Sequence, residues 1–172
     1  MQLIPLFVLT CMAIPAMGAE QNPDSHFFRD AVAANISEVN GGELAQSKSN
    51  SSALQKLAAM MVKDHTAALA TLRALATGKD IEVPTTSSAG QTAKLAALRG
   101  LGPEVFDKSY VEWQIGAHKD AIALFKQETT SGDDLEARQF AAATLPTLQA
   151  HLDQLYAIVL DPPGVAKTGA VQ

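Results

Sequence analysis

Residues 52–78, SALQKLAAMMVKDHTAALATLRALATG, decide how this chain folds. Leu54, Ala58, Met61, His65, Ala68, Leu72 and Leu75 recur at alternating spacings of four and three, the rhythm that lines up one face of an α-helix. Ser52-Ala53-Leu54-Gln55 reads as a capping box at its start and Gly78 as its stop. One position in the apolar row is polar: His65. An imidazole buried without partners is costly, so it is expected to be paired, hydrogen-bonded or bound to a metal.

The same pattern recurs on both sides of this segment. Upstream, a helix from Asp24 or Ser25 to about Lys48 carries Phe28, Ala31, Asn35, Glu38, Gly42 and Ala45 on one face. The pair Gly41-Gly42 inside it costs roughly 1 kcal/mol of helix propensity per glycine, which marks a close helix approach or a kink. Downstream, Gly102-Pro103-Glu104 opens a long helix to about Thr130 with Val111, Gln114, His118, Ala121 and Phe125 inward. A last helix, capped by Asp133 with Glu136 three residues on, carries Ala141, Thr144, Leu148, His151, Leu155 and Ile158. Pro146 within it is expected to bend the rod a turn before His151. Residues 78–102 are too long for a hairpin and hold a short amphipathic stretch from Gln91 to Arg99.

Few aromatic residues (5 %) and abundant alanine and leucine fit an all-α domain over residues 24–160. The net charge is −5, with 13 Lys and Arg scattered among 18 acidic residues, which argues against nucleic acid as a partner. Residues 1–19 read as a secretory signal: an apolar run from Leu3 to Met17, then Ala16-Met17-Gly18-Ala19, then polar Glu20-Gln21-Asn22-Pro23. The run lacks a preceding Lys or Arg and, at about 15 residues, falls short of the roughly 20 that span a bilayer. Lipid attachment at Cys11 is the alternative. Cys11 is the single cysteine, so a mature chain cut after it has no thiol chemistry. Residues 161–172 read as a disordered tail.

Depth along the bundle follows from the helical rise of about 1.5 Å per residue. Below the turn between the first two helices, Glu38 lies about ten residues down and His65 about twelve, nearly level at that rise. If the long connection crosses the whole bundle, His118 lies about fifteen residues down and His151 about nine, so all four fall within roughly 9 Å. If it does not cross, His118 comes level with His65 and His151 lies about five residues deeper. The counting leaves both arrangements open.

Met61-Val62-Lys63-Asp64-His65, then Phe106-Asp107 with Tyr110, Gln114 and His118, then Leu145-Pro146 with Leu148 and His151-Leu152 form a recognisable set. It resembles a family of exported bacterial ferritin-like four-helix domains of unknown function, often labelled putative outer membrane proteins. The resemblance implies a ferritin-like bundle with a crossover between the second and third long helices, a periplasmic or envelope location and no established activity. No Glu or Asp stands three residues before any histidine, so the Glu-x-x-His pairs of a carboxylate-bridged di-metal centre are absent and di-iron chemistry is not carried over.

Glu38, His65, His118 and His151 then carry two readings. As a metal site, three imidazoles and a carboxylate suit one transition-metal ion, zinc, copper, iron or nickel, with Met60 or Met61 as a soft neighbour for copper. Asp64 would orient an imidazole of another helix, and Tyr110 and Gln114 would extend the polar network on the His118 face. As a structural layer, the same groups would hydrogen-bond to one another and fix helix register in a non-catalytic envelope or partner-binding protein. His26 is expected at the surface, and Trp113 and Tyr156 in packing. No Gly-x-Ser-x-Gly turn or glycine-rich phosphate loop points to a hydrolase or nucleotide enzyme.

Overall fold

The computed structural model describes residues 24–160, which form five helices and, among those residues, no strand. They are α1 (Ser25–Lys48), α2 (Ser52–Thr77), α3 (Ala89–Gly100), α4 (Pro103–Ser131) and α5 (Leu135–Leu160). The expected signal segment, the alternative at Cys11 and the expected tail lie outside the described residues. No described helix is long and apolar enough to cross a membrane.

Two apolar clusters fix the direction of each rod. One joins Phe27 and Phe28 of α1, Leu72 and Ala76 of α2, Phe125 of α4 and Ala137 of α5. The other joins Leu44 and Ala45, Leu54 and Leu57, Phe106 and Tyr110, and Leu155 of the same four helices. Thus α1 and α5 run one way, α2 and α4 the other. Each long helix packs against two antiparallel neighbours: α1 against α2 and α4, and α5 against the same pair. The connection from α2 to α4 therefore crosses the full bundle. It carries α3, which buries Leu95 and Leu98 in the second cluster.

Two caps sit one residue from their expected places. Ser51, not Ser52, caps α2: its backbone is extended (φ −87°, ψ 113°) and its Oγ accepts the Leu54 N–H at 3.2 Å. Gln55 donates its amide to the Ser49 carbonyl at 2.7 Å and closes no capping box. At α5 the cap is Asp134, whose Oδ1 accepts the Ala137 N–H at 2.8 Å. Asp133 is used differently: its N–H and that of Asp134 donate to the Asp24 carboxylate at 3.0 and 2.6 Å, tying the start of α1 to the start of α5. A complete capping box forms at α3, between Ser88 and Gln91.

The glycine pair marks a close approach. A Cβ on Gly42 would lie 2.5 Å from Val62 Cγ2 and 3.1 Å from the Ala58 carbonyl oxygen, and one on Gly41 would lie 2.8 Å from the Trp113 ring. The missing side chains let α1 press on α2 and α4 at once, and α1 continues through the pair as one helix. Trp113 is a packing residue as expected, but Tyr156 is 38 % exposed, with the Lys119 ammonium 5.6 Å above its ring. His26 is exposed.

Candidate metal centre

Between the two apolar clusters lies a polar layer built from all four long helices. Each inward row contributes to it because a spacing of three or four residues keeps one face toward the axis. From α1 come Asn35 and Glu38, from α2 His65, from α4 Gln114 and His118, and from α5 His151, all of them buried. His118 meets His65 and His151 edge to face and those two are tilted to each other, with ring centroids 5.3 to 5.5 Å apart.

Each ring is held from outside by an acceptor, and the acceptors settle where its proton sits. The Asn35 amide nitrogen donates to the Ala31 carbonyl at 2.7 Å, so its oxygen faces His65 Nδ1 at 2.9 Å and must accept from it. His118 Nδ1 donates to the Gln114 carbonyl at 3.0 Å. His151 Nε2 donates to the Asp64 carboxylate at 3.1 Å. In a neutral imidazole one protonated nitrogen leaves the other with a lone pair. The free lone pairs are therefore on His65 Nε2, His118 Nε2 and His151 Nδ1. His118 Nε2 and His151 Nδ1 face each other at 3.4 Å, and His65 Nε2 has no protein partner among the described residues. One nitrogen from each histidine lies within 4.8 Å of the other two.

Burial keeps the rings neutral. It holds His65 well below the usual imidazole range, reinforced by His118 and His151 beside it. It brings His118 down to about 4, with His151 adding to the shift and the Gln114 carbonyl opposing it. His151 is also lowered by burial, against the pull of Asp64. Neutral rings with convergent lone pairs are what a transition-metal ion requires, and outer partners that fix the tautomer strengthen such ligands.

Glu38 is not part of this convergence. The three-histidine group closes without it. The residue is 6 % exposed and its carboxyl hydrogen-bonds the Gln114 side chain, yet Oε2 has no partner among the described residues. Burial pushes it up to about 8, only partly offset by Gln114. Gln114 also donates to the Tyr110 hydroxyl at 3.1 Å, and burial, then the charge of Glu38, raises that phenol. Met61 is fully buried in the second apolar cluster, while Met60 is partly buried and its sulfur accepts from Gln154 at 3.9 Å. A cleft of about 600 Å³ opens between α1 and α4, and Glu38, His65 and His118 lie in its wall.

Asn35 is the residue the sequence reading overlooked. Its place on the inner row, one turn before Glu38, was visible; its task was not, because its partner lies 30 residues away on another helix.

Residues 10–158 match a family described as a domain of unknown function, DUF4142. The chain belongs to this family. No curated protein matches this DUF4142 member. Among solved structures its fold is similar to CopM in the Cu(I)-bound form, at 16 % identity and a TM-score of 0.69, covering 82 % of this chain and 98 % of that one. It is equally similar to CopM in the Cu(II)-bound form, at 17 % identity and a TM-score of 0.69, covering 80 % and 96 %. At such identities the likeness establishes a shared helical fold.

Proposed function

We propose that this chain is an exported copper-binding module that holds one ion on His65 Nε2, His118 Nε2 and His151 Nδ1. The observation that carries this reading is the set of three lone pairs turned inward while Asn35, the Gln114 carbonyl and Asp64 occupy the outer nitrogens. A layer that served only to fix register would saturate itself. Here two lone pairs oppose each other at 3.4 Å, an arrangement that a shared cation relieves.

An all-imidazole set suits copper, zinc, iron and nickel alike. The preference for copper rests on the CopM likeness in both copper-bound forms. Export rests on the apolar leader followed by small residues before Glu20. The test is equilibrium dialysis of the purified chain against Cu(I), Cu(II) and Zn(II), followed by elemental analysis. The reading expects one copper per chain that zinc does not displace, and loss of it in His65→Ala, His118→Ala and His151→Ala. A folded wild-type chain that retains no stoichiometric metal would return these residues to a purely structural layer.

A further inference from the structure

We propose that the cleft between α1 and α4 is the port through which the cation reaches the imidazoles, and that Glu38 is a transfer ligand within it. The inference rests on the metal-binding reading above. Three independent features of the cleft point the same way.

First, the cleft gives access to the site from one side. Its roughly 600 Å³ reaches His65 and His118, two of the three converging rings. His151 is not in its lining and is backed instead by Asp64, which occupies its Nε2. Second, the walls are cut back. Ala33 and Ala34 on α1 and Gly116 and Ala117 on α4 line it, and a Cβ on Gly116 would meet nothing within 4 Å. Third, the lining is graded in charge. Asp30 and Asp120, both exposed, stand on opposite walls, and Glu38 lies deeper, 6 % exposed with Oε2 unpartnered among the described residues.

A carboxyl buried with an unsatisfied oxygen is costly. A cation passing through the cleft supplies the missing partner by taking the place of the carboxyl's proton, which leaves to water in the cleft. Carboxylate oxygen is a weaker ligand for copper than imidazole, so an ion held at Glu38 moves on to the histidines rather than stopping there. Acidic groups along a low-dielectric passage raise the local cation concentration and the association rate. Glu38 thus sets how fast the site fills and empties, while the histidines set how tightly it holds.

The experiment is stopped-flow loading of the full chain with Cu(II), read by quenching of its single tryptophan, Trp113, beside equilibrium affinity from chelator competition. The variants are Glu38→Gln, Ala33→Leu/Ala117→Leu to fill the cleft, Asp30→Asn/Asp120→Asn, and Ala67→Leu on the exposed side of α2 as a control. Glu38→Gln and the filled cleft should each slow loading about tenfold or more, and slow release in step, so that affinity moves less than about threefold. The Asp pair should lose about twofold to threefold in rate and much of the salt dependence, and the control should match wild type. Loading within twofold of wild type in either Glu38→Gln or the filled cleft, with copper still bound, overturns the port and leaves the histidine site standing. Failure of the wild-type chain to bind copper overturns both.

Discussion

Replacing Asn35 by alanine tests the tautomer argument most sharply. The Asn35 oxygen is the acceptor that holds the proton on His65 Nδ1, at 2.9 Å, and the ring is 5 % exposed. Leaving a buried donor without an acceptor costs about 1–3 kcal/mol, and the metal-free Asn35→Ala variant should be less stable by that amount in urea denaturation. The proton is then no longer held on Nδ1, and the ring can present the wrong nitrogen to the metal. Loss of such an outer partner weakens metal affinity about 10–100-fold, or about 1.4–2.8 kcal/mol, which chelator competition reads directly. The two losses reinforce each other in the metal-bound protein, because binding to the native state adds to its stability. Urea stability within about 0.5 kcal/mol of wild type, together with affinity within threefold, would refute the claim that Asn35 fixes His65.

Four further outcomes are expected. Gly42→Ala places a methyl 2.5 Å from Val62 Cγ2 and 3.1 Å from the Ala58 carbonyl oxygen, and this overpacking should cost about 1–3 kcal/mol in urea denaturation. Asp24→Ala removes the acceptor of the Asp133 and Asp134 N–H groups, so amide hydrogen exchange at those two positions should speed up more than exchange in the middle of α5. In the metal-free protein His118 titrates near 4, below its ordinary 6.5; its contribution to stability is full above 6.5 and should be lost as pH falls toward 4, as urea midpoints across that range will show. Glu38 behaves oppositely, since its folded value near 8 lies above the ordinary 4.5: its contribution is full below 4.5 and lost as pH rises through 8, so Glu38→Gln should gain on wild type over that window.

The four rods and their inward faces were legible in the sequence because a three-four apolar rhythm survives in each, and the structure buries Leu54, Ala58, Met61 and Leu72 of the α2 row as that rhythm requires. The caps of α2 and α5 slipped by one residue because Ser51-Ser52 and Asp133-Asp134 offer adjacent side chains of equal capping power. Only the backbone conformation chooses between them. The crossover could not be decided by counting, since both arrangements leave the histidines at similar depth; the apolar partners of Phe106 and Phe125 at opposite ends decide it. Glu38 was grouped with the histidines because row position and depth say that a side chain points inward, not which way it turns once there. The protonation pattern was beyond reach for the same reason: the anchors of His65 and His151 lie 30 and 87 residues away in sequence.

If three bare imidazole nitrogens face one another and take one metal ion, each ring has one definite protonated nitrogen and one definite ligand nitrogen. Long-range ¹⁵N–¹H correlation of the histidine rings, before and after addition of diamagnetic Cu(I), measures this directly. A proton is expected on His65 Nδ1, His118 Nδ1 and His151 Nε2 in the metal-free chain, with Cu(I) shifting the opposite nitrogen of each ring. A proton found on any of the three inward nitrogens, or inward resonances that Cu(I) leaves in place, would contradict it.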